Sequence, residues 1–449
     1  MTSRLGCRSV ALPHLQTYAL AWYCDRELRE TWSTPDQICL WAKHEFPDKS
    51  RNSMEAETPN LVAAELPFAH LRILELASVL AGPQVGQFFA EMGADVLKAE
   101  SPAGDVTRTW RTTAEAGQEA ASTVSAYFAA SNWGKRSLVL DLTTPAGQAA
   151  VCQLAAQADI VLASYKPGDA EKLGVDYASL SHRNPQLIYG HLTGYGPDNP
   201  RAGYDAVLQA EAGFMHLNAP GPGQLPQKMP VAMVDLLAAH QLKEGLLVAL
   251  LHRARTGRGA LVQVDLLSSA LSALANQAAT VLVTGHDPQP LGSGHPSIVP
   301  YGTVYTAATG RALVLAVGSD GQFKQLCAAL RQPEWAEDIR FATNAARVAN
   351  RTALEAMLTE HIATANGDEL LAELERRAVP AGAVRTVGEA LAQPSARAML
   401  LPAAAGFAHS GLRTVAFRSP QWEYAAKLPA PPELGTAAPA GFAPDNPPD

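Results

Sequence analysis

The sequence predicts an α/β protein built on a parallel sheet. Short apolar stretches alternate with longer helical ones from Leu71 to about Val283, and Gly and Pro punctuate the joints. The composition, 47% hydrophobic and 17% charged over 449 residues, is that of a globular chain long enough for more than one core.

The elements follow in order. LRILELA (71–77) reads as a buried strand. SVLAGP then turns into the helix QVGQFFAEMG, with Pro83 near its start and Gly93 just past its end, and ADVLKAE is the next strand. Such a strand–helix–strand unit calls for parallel strands joined by a right-handed crossover. KRSLVLDL (135–142) is a further strand. A helix over 144–158 has Thr144 at its cap and Pro145 beside it. Strands 159–165 and 185–196 come next, the latter ending in a Gly-rich turn. A long helix over 236–254 follows Asp235, and TGRGALVQVDLL turns tightly into another strand.

Beyond Gly285 the texture changes. A Gly/Pro-rich run (287–302) precedes strands TVYTA and GRALVLAVG, then helices around 323–331, 354–363 and 367–378. The expected organisation is an appendage at 1–65, a large domain at 66–285 completed by about 396–435, a small α+β domain at 300–395, and a disordered Pro/Ala-rich tail at 436–449.

Net charge is -8, which argues against nucleic acid or an anionic membrane as partner. The five cysteines show neither metal-ligand spacing nor a disulfide framework, so reduced thiols in a cytoplasmic protein are expected and no metal is called for. No stretch has the length and apolarity of a membrane span, and no secretory pattern opens the chain.

Ligands of a parallel sheet sit at the carboxyl ends of its strands. Ser78–Pro83 lies at one such end, but it lacks GxGxxG, which disfavours a nicotinamide dinucleotide. SYKPGDAEKLG (164–174) lies at another. Tyr165 could stack on a base while Lys166 and Lys172 neutralise phosphates; equally, the lysines could be solvated on a turn. The connector 213–230 has the length of a lid or of a surface loop. Asp235 stands between VAMV and LLAA, unusual company for a carboxylate. It reads as a helix N-cap, or as a nucleophile whose acyl intermediate the apolar surroundings shield from water. Glu75 and Asp265 read as structural. No GxSxG accompanies the histidines.

Taken together, LASVLAGPQVGQFFAEMGADVLKAESPAGDVTR, NWGKRSLVLDLTTPAG, LGVDYASLSHRNPQLIYGHLTGYG, RAGYDAVLQAEAGFM, VAMVDLL and RTGRG resemble, in this order, the family III coenzyme A transferases of CaiB/BaiF type. The resemblance spans about 66–435. It implies a large Rossmann-like domain, a small domain and two interlaced subunits of a homodimer. It also implies a coenzyme A thioester as substrate, with no tightly bound cofactor and no metal. The family's nucleophilic Asp precedes a TGRG turn by a little over twenty residues, which is the position of Asp235. Its coenzyme A contacts fall on Leu80, Ala81, Leu140, Asp141, Leu142, Thr143, Ser164, Tyr165, Lys166, Lys172, Ala202, Gly203 and Tyr204. Racemases of the family carry Gly-His-Asp where this chain has Gly203-Tyr204-Asp205, and Tyr is a poor two-way proton shuttle at neutral pH. The loop GSGHPSIVPYG, in place of a polyglycine loop, looks like the branch that serves succinate- and glutarate-type acids. The expected reaction is therefore coenzyme A transfer from succinyl-CoA to a carboxylic acid; a racemase-like isomerase or a non-catalytic acyl-CoA-binding protein are the alternatives.

Overall fold

The computed structural model describes residues 66–442, apart from 116–121, 421, 423, 426 and 438–441. The expected appendage therefore lies outside the described residues. Six parallel strands form the main sheet in the order β3-β2-β1-β4-β5-β6: β1 (Arg72–Glu75), β2 (Asp95–Glu100), β3 (Lys135–Val139), β4 (Ile160–Ala163), β5 (Ile188–Thr193) and β6 (Ala260–Asp265). The order reverses between β1 and β4, so the carboxyl ends of these two strands diverge into a crevice.

Helices α1 (Ala81–Glu91) and α4 (Met233–Thr256) share one apolar core with the sheet. On α4 the buried residues Val234, Ala238, Leu242, Leu246 and Ala249 recur every three to four positions, which makes one continuous stripe. The helix ends where Gly257 takes φ +69° and donates its N–H to the Arg253 carbonyl, a left-handed stop that Gly adopts without strain. The other face of the sheet packs on α2 (Pro145–Gln157), which Thr144 caps by accepting from the Gly147 N–H at 3.1 Å, as predicted. Between β5 and α4 lies α3 (Asp205–Glu211); α5 (Leu266–Ser272) and α6 (Asn276–Thr284) follow β6.

A second core forms around the antiparallel strands β7 (Tyr301–Thr306), β8 (Ala312–Ala316) and β9 (Ala381–Ala383). Helices α7 (Asp320–Ala329), α8 (Arg351–Ile362) and α9 (Gly367–Arg376) cover it.

Three local expectations need correction. The strand predicted over 135–142 leaves the sheet at Val139, because Asp141 turns the chain by accepting both the N–H and the hydroxyl of Thr143, at 3.0 and 2.6 Å. The connector 213–230 contains a helical turn at Phe214–Leu217, and Gln209 ties its end by accepting from the Met229 N–H and donating to the Val231 carbonyl. The tail predicted to be disordered from 436 begins in register with the fold: Gly435 N–H donates to Ser137 Oγ, Ala437 N–H to the Ser137 carbonyl, and Phe442 is buried in the α2-side core. Residues 443–449 lie outside the described residues.

Under the crevice lies a cluster of buried charges. Glu75 accepts from Lys98 Nζ at 3.0 Å and from Lys135 Nζ at 2.8 Å, and Lys98 also meets Asp105 at 3.0 Å; all four are essentially inaccessible. Burial pushes the Lys135 ammonium down to about 8 despite Glu75. Burial also disfavours charge on Lys98, but Glu75, Asp105 and Glu100 overcome it and hold the ammonium above its ordinary value. Removing one partner of such a cluster strands the others without solvent. Glu75→Gln should therefore lower the unfolding free energy by about 3–5 kcal/mol, read as a shifted urea midpoint at unchanged m-value. A loss below about 1 kcal/mol would show that these charges are not what holds β1, β2 and β3 together.

Candidate acyl-transfer site

A cleft of about 200 Å³ opens at the divergence of β1 and β4. Its walls come from successive strand ends: Ser78–Ala81 after β1, Ser164–Lys166 after β4, Leu192–Gly194 at the end of β5, Arg201–Asp205 ahead of and opening α3, and Leu266 after β6. Asp235, from the first turn of α4, completes it. A second cavity of about 390 Å³ adjoins it, sharing Ser78 and Tyr165 and lined by Lys98, Asp105, Leu140, Asp141, Leu142 and Thr143.

The structure thus distributes the predicted residues over two connected spaces. Leu80, Ala81, Ser164, Tyr165, Lys166, Ala202, Gly203, Tyr204 and Asp235 line the first, and Leu140, Asp141, Leu142 and Thr143 the second. Lys172 lines neither; its ammonium pairs with Asp169 at 2.8 Å on an exposed turn. Burial pushes the Tyr165 phenol up to about 12, so it presents a neutral ring. Gly194 and Gly203 meet backbone to backbone: a Cβ on Gly203 would lie 2.3 Å from the Gly194 Cα, so only Gly lets these two walls close. Tyr204 is 59% exposed at the rim.

Asp235 is not the cap of its helix. Helix α4 starts at Met233 and its cap residue, Ala232, offers no side-chain bond. The capping carboxylate comes from α3: Asp205 Oδ1 accepts the Val234 N–H at 2.8 Å, while its Oδ2 accepts from Gln209 at 2.8 Å and faces Lys228 at 3.6 Å. Asp235 is left with no hydrogen-bonded partner among the described residues and only 9% exposed. Burial, and then the like charge of Asp205, push its carboxyl up to about 7, with Lys228 opposing. The result is a carboxylate of raised basicity lining a small cleft.

The turn 77–81, part of which lines the same cleft, is pinned at successive polar groups. The Ala77 carbonyl accepts from Lys98 at 2.7 Å, the Ser78 N–H donates to Ser164 Oγ at 3.1 Å, and the Val79 N–H donates to Asp105 at 3.2 Å. Val79 holds φ +73°, a conformation strained by about 1–3 kcal/mol for a β-branched residue. The N–H groups of Leu80 and Ala81, next in line, have no acceptor among the described residues, and both residues line the cleft. Such donors suit an oxyanion.

Sequence reasoning missed four participants. Asp205 was noticed only as part of Gly-Tyr-Asp, Lys228 only as part of a connector, and Asp105 and Val79 not as site residues. A fifth side chain, Tyr127, is half-buried edge-on to Trp110 at 5.0 Å, and its phenol is raised by burial and then by the charges of Asp235, Asp205 and Asp105. Among the described residues, no group of His, Cys, Asp and Glu is placed to hold a metal ion, and no single helix is long and apolar enough to cross a membrane.

Comparison with known proteins gives this geometry a context. Residues 68–437 match the model of CoA-transferase family III. A succinate–glutarate CoA-transferase of Agrobacterium fabrum is 41% identical over 336 residues, covering 74% of this chain and 83% of that protein. A succinyl-CoA:mesaconate CoA-transferase of Haloarcula hispanica is 35% identical, covering 72% of this chain and 82% of that protein. The crystal structure of a CaiB/BaiF family protein from Brucella suis superposes with a TM-score of 0.72 at 40% identity, over 83% of this chain and 97% of that one. With the predicted motifs converging on one crevice and the match running through both cores, the chain belongs to CoA-transferase family III.

Proposed function

We propose that the protein transfers coenzyme A from succinyl-CoA to a small carboxylic acid, with Asp235 as the nucleophile. The observation that carries this reading is a buried carboxylate with no hydrogen-bonded partner among the described residues, lining the same small cleft as Leu80 and Ala81, whose backbone N–H groups have no acceptor there. The names of the relatives support succinyl-CoA as donor and a dicarboxylic acid as acceptor.

An Asp235 oxygen attacks the thioester carbonyl. The C–S bond breaks and coenzyme A leaves as thiolate, giving a mixed anhydride. The thiolate attacks the aspartyl carbonyl and expels the donor acid as carboxylate, leaving an aspartyl thioester. The acceptor carboxylate attacks that thioester, a second anhydride forms, and the returning thiolate takes the acceptor's acyl group and frees Asp235. No electron or proton is gained or lost over the cycle. Each tetrahedral oxyanion can be held by the Leu80 and Ala81 N–H groups, and burial protects the anhydrides from water. The second cavity, beside Tyr165 and 140–143, has room for part of the coenzyme A nucleotide. We further infer a homodimer: Val248 and Leu251 on α4 and Leu282 and Val283 on α6 are exposed apolar side chains that a second copy would cover.

Asp235→Ala should abolish transfer, and wild-type protein incubated with succinyl-CoA should carry coenzyme A on the Asp235 peptide by mass spectrometry. Undiminished transfer by the variant would remove Asp235 from the chemistry. The reaction needs the ionised carboxylate, so kcat/KM should fall as pH drops through about 7, and Asp205→Asn should move that acid limb to lower pH. Stability should show the opposite trend. A carboxyl raised to about 7 in the fold from an ordinary 3.8 stabilises the fold fully below pH 4 and loses that contribution as pH rises to 7. Asp235→Asn should therefore match the wild type at pH 4 and exceed it at pH 8 by on the order of 4 kcal/mol in chemical denaturation.

A further inference from the structure

Asp105 lies 26 residues from Val79 along the chain and lines the second cavity, not the cleft that holds Asp235. Its carboxylate is nonetheless fully committed. Lys98 approaches Oδ2 at 3.0 Å; the Thr107 N–H and hydroxyl reach Oδ1 at 3.0 and 2.8 Å; and the Val79 N–H completes the set. The Asp105 N–H is itself fixed by Glu100, which Arg108 grips with two bonds of 2.7 Å. The whole arrangement is buried.

This rigidity has one unusual product. Val79 is a β-branched residue at positive φ, where the chain would relax unless the surroundings over-determine it. Asp105 and Lys98 supply that determination, since Lys98 bonds both Asp105 and the Ala77 carbonyl two residues before Val79. Relaxation of Val79 would rotate the peptides that follow, and those are the ones that carry the free N–H groups of Leu80 and Ala81.

We propose that Asp105 is a positioning residue for acyl transfer: anchored on Lys98, it holds Val79 at positive φ and so fixes the Leu80 and Ala81 N–H donors at the cleft that Asp235 also lines. The proposal rests on Asp235 as nucleophile and on oxyanion stabilisation from this turn. It differs from a purely structural role, such as capping the turn Val106–Thr109, in what should rescue it.

The test is a double-mutant cycle with succinyl-CoA and a dicarboxylic acceptor. Misplaced oxyanion donors act in the transition state, so Asp105→Ala should lower kcat by about 100-fold while KM for the thioester stays within about threefold. Asp105→Asn keeps an acceptor oxygen for the Val79 N–H and should lose only about tenfold. Gly adopts positive φ without strain, so in the V79G background Asp105→Ala should cost no more than about threefold relative to V79G alone. If Asp105→Ala does not fold, the same cycle is run with Asp105→Asn, whose loss should likewise shrink to within about threefold. An undiminished loss in the V79G background, or a loss confined to KM, overturns the proposal. Trapping of the coenzyme A adduct on Asp235 in wild-type protein is run in parallel. Absence of the adduct indicts the nucleophile assignment; an adduct with an additive cycle indicts Asp105 alone.

Discussion

The buried contact between Glu75 and its two lysines is the constraint on which the rest of the site is built. A parallel sheet buried on both faces is normally apolar throughout, and here three of its strands converge on ions instead. Glu75 ends β1, Lys98 lies in β2 and Lys135 begins β3, so the ion cluster stitches adjacent strands beneath the crevice. None of these charges could remain without the others. Lys98 then carries the network one step outward, to Asp105 and to the backbone of the turn after β1. The effect is a polar anchor below a short loop that would otherwise have only its own sequence to shape it.

On the far side of the cleft, opposing effects set the character of Asp235. A carboxylate in the first turn of a helix is stabilised as an anion by the free N–H groups there. Burial acts the other way, and so does Asp205, which takes the Val234 N–H and brings a second negative charge close by. The desolvation and like-charge effects win, and the carboxyl ends near neutral pH rather than near its ordinary value. The capping duty and the reactive duty are divided between two Asp side chains, which leaves the lone pairs of Asp235 unspoken for.

What could be read from the sequence was local. The alternation of strand and helix, the Thr144 cap and the TGRG turn are encoded within a few residues of where they act, and the odd apolar company of Asp235 is visible in its own run. So are the runs at 78–81 and 164–166, because loops at strand ends are where a parallel sheet offers a ligand, whereas 140–143 came only from the resemblance to the family. The extent of the 135–142 strand was misjudged because Asp141 next to Thr143 is a turn signal inside an apolar run. The remaining errors are long-range. Asp205 lies 29 residues from the N–H it caps, and nothing near Asp235 reveals that its helix is capped from elsewhere. Lys98 and Lys135 look like ordinary polar positions on strands, since pairing across three strands leaves no trace in any one of them. Val79 is the hardest case, because a β-branched residue is the last that pattern reasoning would place at positive φ.

These pieces combine into an argument about why the strain at Val79 persists. A Gly at that position would remove it at no steric cost, so its retention needs a reason beyond packing. A Val held there by Asp105 has few conformations to escape to, which fixes the N–H groups that follow it. Donors fixed in advance need no reorganisation when charge develops, which is where most of their catalytic value lies. The buried ions under the sheet, costly in themselves, therefore act on the reaction through backbone geometry rather than by touching the substrate.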